Sequence, residues 1–200
     1  MELTYTNQGT TYTETLELEI VDKFHDELTT VDPSYSNGSS TAGLTFRGIL
    51  DLTRTVNEGV KTDDITSALN VGGWPICDIR TWLNEEFLNA FPAELRDNIK
   101  SVKKISNGGL NHHNVLEETS DKIFLPSLDE LNTPNANFTP IKQGTPYILF
   151  TDNASRDIDD IYWVRSTSTL THLWIIIDLD GRPYYSGGGN KNRVMFFFCI

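Results

Sequence analysis

Hydrophobic positions early in the chain recur at two different spacings. Leu16, Leu18 and Ile20 alternate with two glutamates, and this period of two predicts a strand with one face buried and one in water. Residues 32–43 are rich in Gly, Ser and Asn, lack periodicity and predict a surface loop. The apolar residues of the segment 44–50 then predict a short helix.

The central part of the chain carries the clearest helical pattern. Apolar side chains in residues 72–91 fall near helical spacing and predict one amphipathic helix, with Pro75 in its first turn. Pro92 interrupts the pattern, and residues 93–102 predict a second short helix, because a helix tolerates proline at its N-terminal position. The polar, turn-rich residues 106–119 predict an exposed loop.

The next segment predicts little regular structure. Residues 123–125 are apolar and predict a short buried strand. Ser127 and Glu130 have the spacing of a capping box, which predicts one further helical turn. Prolines within residues 133–151 predict an irregular connection.

Residues 161–200 predict an antiparallel β-meander. Strand-like runs alternate with turn residues, among them the pair Asp180 and Gly181, whose composition is typical of a type I′ hairpin turn. The run from Val194 onward is apolar enough to lie centrally in a sheet. The predicted architecture is therefore α+β, with early helices and a C-terminal antiparallel β-meander, in one domain that spans residues 1–200.

Alternation along the predicted strands also separates inward from outward side chains. Trp174, Ile176 and Leu179 are expected to face the core, and Tyr184 and Tyr185 are expected to lie on opposite faces of their strand.

Aromatic and charged residues in the central segments have predicted structural roles. Trp74, Trp82 and Trp163 are expected in the core. Arg80 and Arg165 are expected to pair with buried or half-buried carboxylates.

Charge and composition narrow the classes of partner. The chain has 28 acidic and 16 basic residues, a net charge of -12, which repels nucleic acid and anionic lipid. No apolar run approaches the roughly 20 residues needed to cross a bilayer, and the N-terminus lacks the basic and apolar regions of a secretory signal. We therefore expect no nucleic-acid partner, no membrane insertion and no Sec signal peptide.

Candidate catalytic and metal-binding residues lack supporting motifs. The histidines have no nucleophile motif around them: His25, His112, His113 and His172. Four aspartates between residues 152 and 160 could offer oxygen ligands to calcium, but we interpret them as a solvated acidic loop. Cys77 and Cys199 lie far apart without metal spacing and are expected to be buried free thiols. The sequence thus predicts no metal, no cofactor and no catalytic residue.

Several ordered motifs resemble one protein family. They occur, in chain order, at residues 24–28, 42–46, 72–74, 78–84, 121–127, 162–166 and 196–200. Together they resemble a domain of unknown function common in gut Firmicutes and their prophages, related to the C-type-lectin-like fold of formylglycine-generating enzymes. This resemblance implies a C-type-lectin-like fold for nearly the whole chain.

The segment 162–200 is also similar to the variable region of diversity-generating retroelement target proteins. In those proteins, mutagenesis randomises chosen codons while the scaffold stays unchanged, which implies a binding surface. The composition of residues 182–193, with Tyr, Ser, Asn, Gly and Arg, is typical of paratopes. The resemblance implies these ligand-binding positions: Ser168, Leu170, His172, Arg182, Tyr184, Tyr185, Ser186, Asn190 and Asn192.

The resemblance implies a non-catalytic protein that binds a protein or glycan receptor on a cell surface. Such a protein would be a phage tail adhesin or a bacterial surface-display protein, located on the virion tail or the cell surface, and homo-oligomerisation stays open. A structural tail or assembly subunit is the alternative. A formylglycine-generating-type oxidase is a distant third, because it would need paired reactive cysteines near each other.

Overall fold

The computed structural model describes residues 1–30, 40–57, 70–110, 112–133, 138, 141–170 and 173–200. These residues form a mixed α+β structure that is rich in strands, and nearly all strand pairs are antiparallel. The α+β prediction is confirmed. The predicted loop at residues 32–43 lies largely outside the described residues.

Eleven strands and three short α-helices make up the described structure. The strands are β1 (Glu2–Asn7), β2 (Thr10–Thr15), β3 (Glu19–Lys23), β4 (Leu44–Arg54), β5 (Val102–Asn107), β6 (Leu116–Asp121), β7 (Ile123–Phe124), β8 (Tyr162–Thr167), β9 (Leu173–Ile177), β10 (Pro183–Gly187) and β11 (Asn192–Cys199). The α-helices are α1 (Asp78–Glu85), α2 (Ala93–Arg96) and α3 (Asn153–Arg156), and two 3₁₀ helices flank α1 at Trp74–Ile76 and Phe87–Ala90.

The main sheet is built around the last strand. Its order is β10-β9-β8-β11-β4-β3, and β7 also pairs with β11. Two hairpins, β1–β2 and β5–β6, lie outside this sheet. The apolar run from Val194 is central, as predicted. However, the meander covers only β8–β10, because β11 crosses back to pair in parallel with β8 at Arg193 and Tyr162.

The first part of the chain corrects two predictions. The segment 44–50 is not a helix but most of β4, whose helix-like spacing arises because apolar residues occupy both of its faces. The early strand begins at Glu19, and Val21 is buried whereas Ile20 is exposed. A register irregularity between Ile20 and Asp22 shifts the alternation, so the predicted inward face is wrong at Ile20.

The helical segment is shorter and more interrupted than predicted. The stripe of Ile79, Leu83 and Phe87 is fully buried as expected, but Ile76 is exposed. Pro75 lies in a 3₁₀ helix before α1, not in a continuous helix. The second helix ends at Arg96, well short of residue 102.

Two predicted turns also differ from the structure. Residues 106–107 belong to β5 and residues 116–119 to β6, and these strands pair, so the prediction of one exposed loop over residues 106–119 is wrong. In the turn after β9 the positive φ lies at Gly181 (69°) and not at Leu179 or Asp180, so the turn is not type I′. The capping-box bonds exist: Ser127 N donates to Glu130 Oε2 (2.9 Å), and Glu130 N donates to Ser127 Oγ (3.2 Å).

Aromatic side chains of β11, of α1 and the 3₁₀ helix after it, and of β1 pack together in the core. Phe196 of β11 contacts Phe87 edge to face (5.0 Å between centroids). Trp74, Trp82 and Trp163 are buried, as predicted. These aromatic contacts therefore connect the central strand of the sheet to the helical segment of the core.

Candidate binding surface

The predicted ligand-binding residues surround strand β10. Arg182 precedes the strand, Tyr184, Tyr185 and Ser186 lie in it, Asn190 lies in the turn after it, and Asn192 begins β11. Ser168 and Leu170 lie in the loop between β8 and β9. His172 lies outside the described residues.

Four of these side chains face solvent. Leu170 is 48% exposed and Tyr184 is 60% exposed, and Arg182 and Asn190 are also exposed. Tyr185 is half-buried, with its ring 4.5 Å from that of Phe138. Tyr184 and Tyr185 therefore alternate as predicted, whereas Leu179, predicted to face inward, is exposed.

Two of the predicted contact residues are internal. Ser168 is fully buried, and its hydroxyl accepts a hydrogen bond from Leu170 N (3.0 Å). Ser186 is buried beneath the surface and accepts bonds from the side-chain amides of Asn190 (3.0 Å) and Asn192 (3.3 Å). These serines hold the two turns in place, so the exposed surface is narrower than the predicted set.

The loop between β8 and β9 is held through its backbone by Asn70. The buried Asn70 Nδ2 lies within hydrogen-bond distance of three carbonyl oxygens, of Ser168 (3.2 Å), Leu170 (2.8 Å) and Leu173 (3.0 Å). Its Oδ1 accepts from Leu110 N (3.2 Å). None of these bonds uses the Leu170 side chain, so Asn70 holds the backbone of Ser168, Leu170 and Leu173 whatever that side chain is.

A second buried asparagine fixes the end of β8. Asn107 Nδ2 donates to Thr167 O (2.9 Å), and Asn107 Oδ1 accepts from Thr167 N (3.0 Å). The side-chain amide thus pairs with the backbone of Thr167 as a neighbouring strand would.

The turn between β9 and β10 is anchored by Arg156. This arginine is buried, and its Nε donates to Gly181 O (2.9 Å) while its Nη1 donates to Leu131 O (3.1 Å). Asp178 Oδ1 accepts from the backbone N of Asp180 (3.0 Å) and Arg182 (2.9 Å). A Cβ at Gly181 would lie 2.0 Å from Asn153 O, so only glycine fits there.

The turn between β10 and β11 is also anchored through its backbone. Gly188 O accepts from Val56 N (3.1 Å) and Asn57 N (3.4 Å). Backbone anchoring is therefore common to all three connections that carry the exposed positions.

Arg165, Glu130, Lys104 and Asp26 form a buried ionic cluster. Arg165 Nη2 donates to Glu130 Oε1 (2.8 Å), and its Nη1 also pairs with Glu130. Lys104 Nζ donates to Glu130 Oε1 (3.0 Å) and to Asp26. Burial opposes ionisation of Glu130, yet the attraction of Arg165 and Lys104 outweighs it and lowers the pKa of Glu130. Arg165 thus has the buried carboxylate partner that was predicted.

Arg80 is likewise paired with a buried carboxylate. Its Nε donates to Asp121 Oδ1 (2.7 Å), while Trp74 Nε1 donates to Asp121 Oδ2 (2.9 Å). Asp121 therefore links α1, the preceding 3₁₀ helix and β6, and the prediction for Arg80 is confirmed.

The cysteines are both free and buried. Burial raises the pKa of the Cys77 thiol to about 12, and burial likewise raises that of Cys199. Within the described ranges, no group of three or more His, Cys, Asp or Glu side chains is arranged to hold a metal ion. Asp160, one of the four candidate calcium ligands, instead pairs with Arg193 Nε (2.6 Å).

Sequence reasoning missed the residues that anchor the loops. Asn70, Asn107 and Arg156 lie in or beside polar segments, where asparagine and arginine usually face solvent. Nothing local in the sequence distinguishes a buried amide that binds a distant loop from an exposed one in a turn.

Comparison with known families gives a match to a domain family. Residues 51–188 match the family described as domain of unknown function DUF6273, and the chain belongs to that family. Comparison with curated proteins and with solved structures gives no match. Among the helices described, none is long and apolar enough to cross a membrane.

Proposed function

We propose that this chain is a non-catalytic binding protein of C-type-lectin-like fold that recognises a protein or glycan receptor. The contacts would come from the β8–β9 loop, strand β10 and the turns that flank it. The exposed side chains available there are Leu170, Arg182, Tyr184 and Asn190, with Tyr185 and Asn192 half-buried beside them.

The observation that carries this proposal is the backbone anchoring of all three connections. Asn70 binds carbonyl oxygens of one loop, Arg156 binds the carbonyl of Gly181 in the second, and Gly188 O accepts backbone donors in the third. The side chains of Leu170, Arg182 and Tyr184 can then change without loss of the backbone bonds that hold the loops. A surface that tolerates such change is what a diversified recognition protein requires.

The chemistry of the exposed residues suits recognition. Tyr184 offers a large contact area with few rotatable bonds, and Arg182 and Asn190 offer adaptable hydrogen bonds. Arg182 lies in the turn that leads into β10, two residues before Tyr184, and both side chains are exposed. An exposed cation and an exposed aromatic ring this near in sequence suit either a protein or a glycan ligand.

We place this function on a virion tail or a bacterial cell surface, with the segment 162–200 as the diversified part. The gene neighbourhood tests this directly. DNA sequencing should find a second copy of these codons that differs at adenines, next to a reverse transcriptase gene. Absence of both would favour a fixed surface and the structural-subunit alternative.

A binding experiment tests the surface itself. The wild-type chain is applied to a glycan array and to a panel of intact gut bacteria, and bound targets are then tested with the triple variant Leu170→Ser, Arg182→Ser and Tyr184→Ser. Loss of binding by about tenfold or more, with an unchanged melting temperature, supports the proposal.

The matched control replaces exposed apolar residues elsewhere, Val115→Ser with Leu116→Ser on the β5–β6 hairpin, which are exposed to a similar extent. This variant should bind as wild type does. Equal binding by the triple variant and the wild type would contradict the assignment of the surface.

A further inference from the structure

The amine of Lys104 is buried among carboxyl groups and aromatic rings. The Lys104 side chain is 2% exposed, and its Nζ lies 3.8 Å from the centre of the Phe124 ring. Nζ donates hydrogen bonds to Asp26, to Glu130 Oε1 (3.0 Å) and to Tyr147 Oη (3.0 Å). A primary amine, two carboxyl groups and aromatic rings therefore share one water-excluded site.

We propose that Lys104 and Asp26 join in an intramolecular isopeptide bond, with Glu130 as the proton carrier. This covalent role is independent of the binding surface, which lies on the C-terminal hairpins. It would make Lys104 the nucleophile and the Asp26 carboxyl carbon the electrophile of a self-processing reaction.

The arrangement meets the conditions for amide formation between side chains. The amine and the carboxyl group are already in hydrogen-bond contact and held by folded structure, which removes the entropy cost of their encounter. The Asp26 side chain is 2% exposed, so bulk water is excluded from the pair. Burial disfavours the charged forms, but the mutual attraction of the two groups outweighs it, so the pKa of Asp26 is lowered and that of Lys104 is raised. The proton transfer that gives the neutral pair is therefore the costly first step of the reaction.

The steps balance without an added reactant. The ion pair becomes a neutral amine and a neutral acid when one proton passes from Lys104 Nζ to a carboxylate oxygen. The nitrogen lone pair then attacks Cγ of Asp26, and a tetrahedral centre forms. Glu130 takes a proton from the nitrogen and delivers it to the departing oxygen. One C–N bond forms, one C–O bond breaks, and one water molecule leaves.

Two hydroxyl groups are placed to stabilise the tetrahedral centre. Thr45 Oγ1 donates to Asp26 Oδ2 (2.5 Å). Tyr147 Oη contacts both carboxyl oxygens of Asp26, Oδ1 at 3.0 Å and Oδ2 at 3.2 Å. Donors of this kind, aimed at an oxygen that gains negative charge, lower the barrier of acyl transfer.

Arg165 gives Glu130 a fixed position beside the amine. The guanidinium pairs with both oxygens of Glu130, and Oε1 also accepts from Lys104 Nζ. Glu130 thus touches a reacting atom and cannot rotate away without losing its partner in the core.

The bond would connect parts of the chain that are far apart in sequence. Asp26 follows β3 and Lys104 lies in β5, a separation of 78 residues. A cross-link of this span restricts the unfolded chain as a disulfide does, and both cysteines here are free. It would survive reducing conditions, unlike a disulfide.

Intact mass spectrometry of the folded wild-type chain tests the proposal. We expect a mass lower than the sequence mass by one water molecule. After digestion with trypsin, residues 24–47 and 104–122 should appear as one branched peptide, because trypsin does not cleave after an acylated lysine. Fragmentation should place the link between Asp26 and Lys104.

Variants assign the roles of the residues. Lys104→Arg keeps the positive charge but removes the nucleophilic amine, and Glu130→Gln removes the proton carrier, so both should have the full sequence mass. The control Lys103→Arg changes the neighbouring lysine, which pairs with Glu27 at the surface, and should keep the loss of water. The wild-type mass is decisive even if a core variant fails to fold.

Two results would overturn the proposal. A wild-type chain with the full sequence mass, which yields residues 105–122 as a free peptide, would mean that Lys104 and Asp26 remain an ion pair. A loss of water that fragmentation places elsewhere, such as a succinimide at Asp180 and Gly181, would also exclude the isopeptide bond.

Discussion

Asn70 Nδ2 lies 2.8 Å from the carbonyl oxygen of Leu170, while the Leu170 side chain points into solvent. Asn70 thus holds the backbone of Leu170 and leaves the Leu170 side chain free to vary. This relationship separates the part of the chain that fixes the loop from the part that would contact a ligand.

We predict that Asn70→Ala lowers the free energy of unfolding by about 1–3 kcal/mol, because Ser168 O and Leu110 N lose the side-chain partner that Asn70 provides. The carbonyls of Leu170 and Leu173 keep a backbone donor. The matched change Leu170→Ser should alter it by no more than about 0.5 kcal/mol. Urea denaturation followed by circular dichroism measures both. Similar losses in the two variants would argue against a loop that is held by its backbone.

Gly181 should be intolerant of any side chain. Its φ of 69° is unfavourable for other residues, and an added Cβ would meet Asn153 O at 2.0 Å. We expect Gly181→Ala to cost about 2 kcal/mol or more in thermal unfolding. Gly187→Ala is the control, since a Cβ there meets only Asn190 Nδ2 at 3.7 Å. A neutral Gly181→Ala would mean that the turn can rearrange.

Replacement of Arg165 by Met should destabilise the fold by about 3–5 kcal/mol, because Glu130 would lose its bidentate partner inside the core. The exposed Arg182→Met is the comparison and should be close to neutral. Chemical denaturation gives both values. Equal values for the two variants would show that the buried pair does not stabilise the fold.

Acid stability should depend on Asp160. The hydrogen bond from Arg193 holds the pKa of Asp160 below its ordinary value of 3.8. A carboxyl group whose folded pKa is depressed stabilises the fold above its unfolded pKa, and this contribution is lost as pH falls through the folded value. Melting temperatures measured from pH 7 down to the acid range should therefore fall less steeply for Asp160→Asn. An unchanged slope would mean that the ion pair does not persist in solution.

The elements that sequence predicted well are those with a strong local signal. The apolar run that became β11 was correctly placed at the centre of the sheet, because no exposed strand could carry so many buried phenylalanines. The buried stripe of α1 and the core tryptophans followed from periodicity and size in the same way.

The elements that failed depend on contacts with distant residues. Residues 44–50 resembled a helix because both faces of β4 are apolar, and only pairing with β3 and β11 selects the strand. The sequence predicts an exposed loop at Ser106 and Asn107, yet both are fully buried, and Asn107 pairs with Thr167. Their polarity is satisfied by partners that local sequence cannot reveal.

Strand β11 lies between β4 and β8, so the sheet is completed by a strand that the ribosome makes after both of its neighbours. While residues 192–199 are still in the exit tunnel, β3–β4 and β8–β10 have no strand to join them. The nascent chain would then expose the unpaired edges of β4 and β8 that later pair with β11. Folding of this sheet is therefore expected to wait until β11 has left the exit tunnel, and chaperone contact with the nascent chain should end only then.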